Sequence, residues 1–293
     1  MSKNNEDVFI TDFYKQLKES GLTFDLIHLF QTIILKFYKN FKRNFPFRKE
    51  ITPYYVVVSE IMLQQTQTDR VSKKFLEFIK KFPDFFTLSK TPLDDVLKAW
   101  QGLGYNRRAI ALKKISEIMV NDYNGVLPDS IETLKTFPQI GHNTACSIVT
   151  FAFNKPTVFI ETNIRRVYIY FFFPGKNNVT DREIMPIVEK TINRENPREW
   201  YYALMDYGVM LKKKYPDLNK RSANYRKQAP FKGSSRQIRG EILRILVKKK
   251  MLSLTELEKK LNNVNLQKLK KILGQLEKEG FIKLKREIIQ IVN

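Results

Sequence analysis

The sequence predicts a mainly α chain that ends in a small, separate unit. Three observations carry this expectation. Apolar residues recur at helical spacing in segment after segment between Asp25 and Leu211. Strand signals are few until residues 281–284 and 288–292, which have charged residues between them. Pro230, Gly233, Ser234 and Ser235 read as a linker, after which the helical pattern restarts.

Composition narrows the function classes. The 293 residues carry 52 Lys and Arg against 30 Asp and Glu, a formal net charge of +22. So basic a chain favours a polyanionic partner, nucleic acid before an anionic membrane surface. Hydrophobic residues make up 43% of the chain, enough for two or three compact units rather than disorder. No apolar run approaches the ~20 residues needed to span a bilayer. The opening residues lack the basic and apolar regions of a secretory signal, so an intracellular, soluble protein is expected. One cysteine, Cys146, excludes an internal disulfide framework and any site needing several thiolates.

Residues 1–24 are mixed and polar and read as an N-terminal extension. Residues 25–41 place Leu26, Phe30, Ile33, Ile34 and Phe37 at helical spacing. Asn44-Phe45-Pro46-Phe47-Arg48 is turn-like, with Pro46 expected to end any helix. A helix from Pro53 is apolar over 56–63 and runs into Gln64-Gln65-Thr66-Gln67, a polar run unusual as filler. Helices follow over 71–81, 93–101 and, after Gly102-Leu103-Gly104-Tyr105, over 107–123. Asn124-Gly125 and Pro128-Asp129 then break the chain. A short helix end with Ile131 and Leu134 meets Phe137-Pro138-Gln139-Ile140-Gly141, and a second helix starts at His142-Asn143-Thr144-Ala145. It stops before Asn154-Lys155-Pro156, and a β-branched segment leads to Glu161. Helices are expected again over 163–172, 181–192 and 198–211.

Ten Lys and Arg stand between Lys212 and Arg239 against the single acid Asp217. Beyond the linker, helices are expected over 238–247, 255–261 and 266–279, with Gly280 as the final stop. Three helices and a terminal hairpin resemble a winged-helix module, here with 15 basic and 6 acidic residues. A helical oligomerisation tail is the alternative.

Several residues could carry chemistry. A tight turn entering a helix N-terminus, as at Gln139 to Thr144, leaves backbone N–H groups that suit a phosphate oxygen, and Gly141 permits the turn. Many helical pairs nevertheless join through Pro and Gly. Glu161 lies where an apolar segment meets a helix cap. It is either a helix-start acid favoured by the dipole or a carboxylate stabilising positive charge as a glycosidic bond breaks. Glu60 sits among Val56, Val57, Val58, Ile61, Met62 and Leu63. It is either an end-of-helix salt-bridge partner or a general acid whose pKa burial raises.

Phe45-Pro46-Phe47-Arg48, Val58-Ser59-Glu60-Ile61-Met62-Leu63-Gln64-Gln65-Thr66-Gln67, Trp100-Gln101-Gly102-Leu103-Gly104-Tyr105, residues 137–145, Glu161-Thr162-Asn163-Ile164-Arg165-Arg166-Val167 and Met205-Asp206-Tyr207-Gly208 occur in one order and at family-like spacing. Over residues 30–212 this resembles the adenine DNA glycosylases of the endonuclease III superfamily, which carry a helix-hairpin-helix motif. The Ser-Glu-x-Met-Leu-Gln-Gln-Thr-x-Gln and Gly-Leu-Gly-Tyr runs point to the adenine-removing branch. The resemblance implies a two-lobed helix-hairpin-helix DNA glycosylase fold, with the C-terminal winged-helix-like module added, and a target base flipped out of the stack. It implies that Glu60 protonates the departing adenine, that Glu161 stands where the family keeps an aspartate, and that Asn163 assists. It implies a base pocket lined by Arg48 and Leu63. Gln64, Gln65, Thr66 and Tyr105 would meet the duplex, and Gln139, Gly141, His142, Asn143 and Thr144 would hold a phosphate.

The departures from the family are part of the expectation. Glu161 replaces an aspartate. Asn143 stands where bifunctional members keep a lysine, so a Schiff base by that route is not expected. Gln139 replaces the first hairpin glycine. The four cluster cysteines fall on Lys212, Asn219, Ser222 and Gln228, so no iron–sulfur cluster and no metal are expected. The family's usual C-terminal domain, which reads 8-oxoguanine, is not recognisable, and the winged-helix-like tail stands in its place. The expected protein is a monofunctional, monomeric enzyme of base-excision repair that releases adenine mispaired with 8-oxoguanine or guanine, working in the cytoplasm or nucleoid (the nucleus in a eukaryote). A glycosylase for another damaged or modified base, or a non-catalytic DNA-binding protein on the same scaffold, is the alternative. Its partner would be double-stranded DNA with a mismatched or damaged base, with no membrane partner. Expected boundaries are an extension at 1–24, a terminal lobe from 25–50 and 157–232, a central lobe at 51–156 that includes the hairpin, and the winged-helix-like module at 236–293.

Overall fold

The computed structural model describes residues 3–228, 230–261 and 264–292. Its architecture is mainly helical, as expected, and strands occur only in the C-terminal module among the described residues. No helix among the described residues is long and apolar enough to cross a membrane. Internal packing divides the chain into two compact units. One comprises Met1–Phe45, Asp129–Glu132 and Ile140–Lys227, the other Pro46–Pro128, Thr133–Gln139 and Gln228–Asn293.

The core of the first unit is aromatic. The helix Phe24–Phe41 starts at Thr23, whose side chain caps Leu26 N at 3.3 Å, and it buries Leu26, Phe30 and Ile34. Phe30 meets Tyr168, Phe171 and Phe172 of the helix Thr162–Phe172, and Trp200 of the helix Pro197–Lys214, edge to face. The N-terminal segment corrects an expectation, because Lys3–Ser20 is a helix rather than an extension. Its Phe13 is fully buried against Phe171 and Phe172. Ile10, Phe13, Tyr14 and Leu17 recur at helical spacing, a signal that the mixed, polar composition of the segment masked.

In the second unit, the helix Pro53–Leu63 is capped by Thr52 and led by Pro53, and it buries Tyr54, Val56, Val57, Val58, Ile61 and Met62. It packs with the helices Thr68–Lys81 and Arg107–Tyr123. Three shorter helices, Pro46–Lys49, Phe85–Lys90 and Leu93–Trp100, also belong to this part. Pro46 therefore begins a helix instead of ending one, since proline lacks only an N–H that the first turn does not use.

The C-terminal module has the winged-helix order of helix, strand, two helices and hairpin. Its helices are Ser235–Lys249, Leu254–Lys260 and Leu266–Lys278. The terminal strands are β2 (Ile282–Lys285) and β3 (Ile288–Ile291), close to the expected bounds. A strand too short for a sequence signal, β1 (Met251–Ser253), pairs antiparallel with β3, giving the sheet order β1-β3-β2. Ile242, Leu246, Leu257, Leu269, Leu276, Phe281 and Ile289 form its core.

Two domain boundaries differ from the expected ones. The unit boundary crosses the hairpin itself, with Gln139 in one unit and Ile140 in the other, so the helix His142–Phe153 groups with the terminal-lobe helices. The winged-helix module packs into the same unit as the central helices instead of standing alone. Chain order does not encode either grouping, because both depend on contacts between residues far apart in sequence.

Candidate functional site

The expected site residues fall into two clusters, one in each unit. In the first unit Glu161 is the N-cap of the helix Thr162–Phe172, with extended backbone (φ −110°, ψ 176°). Its Oε1 accepts from the backbone N–H groups of Asn163 at 2.7 Å and Ile164 at 2.9 Å. The structural reading of Glu161 as a helix-start acid is thus the observed geometry, and it leaves Oε2 facing the Asn163 side-chain amide at 3.3 Å. Burial pushes the Glu161 carboxyl above its usual range, against the lowering effect of those N–H donors and of the Arg166 charge.

Asn163 is oriented from its other end. Arg166, nearly fully buried, donates from Nη1 to Asn163 Oδ1 at 2.7 Å and to the Gly208 carbonyl at 2.7 Å. With its oxygen held there, the Asn163 amide must present N–H to Glu161. Gly208 makes this approach possible, since a Cβ on it would lie 2.4 Å from the Asn163 carbonyl oxygen. Asn143, in the first turn of the hairpin helix, donates to the Ile160 carbonyl at 2.9 Å and so holds the residue preceding Glu161. Glu161 and Asn163 therefore form one hydrogen-bonded group, and Asn143 holds the backbone just before it. Arg166 and Gly208 complete it, although in the sequence both stand out only as parts of motifs.

In the second unit the organiser is Arg108, a residue that sequence reasoning missed. Its nearly fully buried guanidinium donates through Nη1 to the carbonyls of Ile61, Met62 and Gln64, at 3.0, 2.7 and 2.6 Å. Through Nη2 it reaches Thr66 Oγ1 at 2.9 Å and the carbonyls of Leu103 and Gly104, each at 3.0 Å. One side chain thereby ends the helix that carries Glu60 and Leu63 and fixes both the Gln64–Gln67 run and the Gly-Leu-Gly-Tyr turn. Desolvation lowers its pKa to about 10, so it stays charged at neutral pH. The available signal was a second arginine placed three positions after Tyr105.

Three residues of this cluster carry backbone strain. Gln65, Tyr105 and Gln139 all adopt left-handed backbone, at φ 55°, 47° and 61°. Gln64 donates to the Gln139 carbonyl at 3.0 Å. The expectation that Gly141 supplies the permissive turn backbone is corrected, because Gly141 is extended at φ −87° and the positive φ falls on Gln139. A Cβ at Gly141 would meet no protein atom within 4 Å. As N-cap it offers no side chain to the first turn of His142–Phe153, which bears His142, Asn143 and Thr144. Tyr105 is 37% exposed, and its hydroxyl accepts from Arg236 at 2.9 Å and meets Gln228. Arg48 lies in the short helix Pro46–Lys49 and is half-buried.

The four positions matching the family's cluster cysteines present other chemistry. Lys212 lies in the last turn of a helix and Asn219 in the 3-10 helix Leu218–Arg221. Ser222 pairs with Val179 in an isolated β-bridge and accepts from Asn224 N at 3.1 Å, while Gln228 reaches Tyr105. Arg221 anchors this stretch on the carbonyls of Lys176 and Phe173. An ammonium, two amides and a hydroxyl do not fit an iron–sulfur cluster.

Comparison with known proteins agrees with this geometry. The family described as HhH-GPD superfamily base excision DNA repair protein matches residues 58–194. The chain is 36% identical over 188 residues to the adenine DNA glycosylase of Buchnera aphidicola subsp. Baizongia pistaciae (strain Bp), covering 62% of this chain and 53% of that protein. It is 30% identical over 240 residues to the adenine DNA glycosylase of Mycobacterium tuberculosis (strain ATCC 25618 / H37Rv), covering 75% of this chain and 79% of that protein. A solved thermostable thymine-DNA glycosylase superposes with TM-score 0.57 at 26% identity, over 63% of this chain and 86% of that one. The chain spans about half the length of the first curated relatives it matches. With fold, hairpin and relatives in agreement, the chain belongs to the HhH-GPD superfamily of base excision DNA repair proteins.

Proposed function

We propose that the protein is a monofunctional DNA glycosylase that hydrolyses the N-glycosidic bond of a flipped base, with adenine opposite 8-oxoguanine or guanine as the favoured substrate. The observation that carries this reading is the Glu161–Asn163–Arg166 arrangement. A carboxylate with one oxygen committed to backbone amides keeps its second oxygen for a sugar that becomes positive as the base departs. Asn163 restrains that oxygen and can orient the attacking water. Glu60 acts as the general acid on the departing base, and Arg48 and Leu63 line the base pocket. Gln64, Gln65, Thr66 and Tyr105 meet the duplex, and the bare N-terminus at Gly141 takes a phosphate.

The chemistry needs no lyase step, because the Asn143 amide is not nucleophilic and is engaged with Ile160. It needs no iron–sulfur cluster, for which the side chains at 212, 219, 222 and 228 are unsuited. A second reading, release of another damaged or modified base, is favoured by the likeness to a thymine-DNA glycosylase and by Glu161 itself.

The test is a panel of labelled duplexes carrying A opposite 8-oxoguanine, A opposite G, uracil or thymine opposite G, or hypoxanthine, each followed by alkali. Strand breaks only after alkali, lost in Glu60→Gln, are expected. Breaks without alkali would overturn the monofunctional reading. Salt-sensitive binding with no abasic product on any duplex would replace the enzyme with a DNA-binding protein on the same scaffold.

A further inference from the structure

The winged-helix module is tied by polar contacts to the helices and turn around Tyr105. Lys250 pairs with Asp94, which is buried in the helix Leu93–Trp100. Glu279 receives Arg107 at 2.5 Å and also Arg239. Arg236, at the start of the module, holds the Tyr105 hydroxyl at 2.9 Å. The module's first helix and the C-terminal end of its third helix thus face the rest of this unit.

That docking leaves another face open. Lys270, Lys271 and Lys278 on the third helix, with Lys283, Lys285 and Arg286 on the hairpin, are all exposed. The module's carboxylates are largely committed elsewhere. Glu241 pairs with Arg244, Glu256 closes a capping box with Ser253, Glu277 accepts from Leu284 N at 2.7 Å, and Glu279 is shared by two arginines. Among the described residues, two exposed acids, Glu277 and Glu287, lie beside these six cations, which leaves the open face with a net positive charge. A third helix and a hairpin presenting cations together is the geometry by which helix-turn-helix variants meet a duplex, with phosphate contacts driven by counterion release.

We propose that this face is a second duplex-binding surface, which grips the phosphate backbone of DNA flanking the base that the catalytic part extrudes. The inference rests on the proposal that the partner is DNA. Its clamp near Tyr105 couples the two contacts, so that flanking duplex contributes to affinity without entering the chemistry.

The experiment compares full-length protein with the variant Lys270→Glu/Lys271→Glu/Arg286→Glu on two duplexes holding the same abasic-site analogue. One barely spans the analogue, and the other extends about ten base pairs further on each side, roughly one helical turn. The unsubstituted protein is expected to bind the extended duplex about tenfold tighter. The variant should lose that gain, and its salt-dependence slope should fall by about 2.7, near 0.9 for each contact removed. Affinity for the short duplex should be unchanged, and arginine at 270 and 271 should retain the gain. Equal affinities and slopes for variant and parent on both duplexes would overturn the proposal and leave the face to a protein partner. Failure to release any base would overturn the glycosylase reading, yet leave this binding comparison fully readable.

Discussion

Arg166 donates to the side-chain oxygen of Asn163 at 2.7 Å and thereby decides which way the amide points. Without it, Asn163 could turn its oxygen toward the Glu161 carboxylate, where two acceptors repel. Arg166 acts through Asn163, as a positioning residue. Arg166→Met is expected to lower kcat by about ten- to a hundredfold with KM little changed, as displacement of a reacting group allows. Arg166→Lys, which keeps the charge without the fork, should recover only part of the loss. A matched rise in KM with kcat intact would show that Arg166 serves binding instead.

Glu161 lies above its usual pKa range because burial disfavours the ionised form. The folded protein then binds that proton more tightly than the unfolded chain, so ionisation of Glu161 opposes folding. Its stabilising effect is full below the unfolded value near ~4.3 and is lost as pH rises through the folded value. Glu161→Gln is therefore expected to match the parent in Tm at about pH 4 and to exceed it at neutral pH, while abolishing excision. Retained base release in Glu161→Gln would remove this carboxylate from the mechanism.

Gly208 sits where the helix Pro197–Lys214 meets Asn163 of the helix Thr162–Phe172. A Cβ at position 208 would lie 2.4 Å from the Asn163 carbonyl oxygen, so alanine there requires the backbone to move. Gly208→Ala should destabilise by about 1–3 kcal/mol as overpacking does. Because the displaced residue is Asn163, it should also slow excision more than it weakens DNA binding. Thermal denaturation and single-turnover kinetics on the same preparation separate the two effects.

Arg108 satisfies six backbone carbonyls and one hydroxyl across two turns. Each carbonyl left buried without a donor costs about 1–3 kcal/mol, less whatever water recovers. Arg108→Met is expected to lower Tm by about 10 °C, given a few degrees per kcal/mol in a chain of this size. The Gln64–Gln67 run should then show faster amide exchange than the helix before it. Unchanged stability would mean that water replaces the guanidinium.

Much of this protein was legible in the order of its residues. Helical periodicity placed most helices within a few residues, because each must bury one face. Glu60 and the Gln64–Gln67 run drew attention because charged and amide groups are costly beside apolar helices unless they serve a purpose, whereas Asn163 was named only through the family resemblance. Hairpin strands announced themselves by charged residues between two apolar runs.

Tertiary structure alone decided the rest. Phe13 became core, and the three-residue strand β1 formed, only because partners distant in sequence were present. Left-handed backbone fell on Gln139 rather than Gly141, since the fold fixes φ and the residue type only sets its cost. Arg108 looks like any surface arginine in a chain with 52 Lys and Arg, and Arg166 stands out only as part of a motif. What sets them apart is burial against carbonyls and an amide that the folded chain brings to them, and hydrogen bonding between distant segments leaves no local periodicity to read.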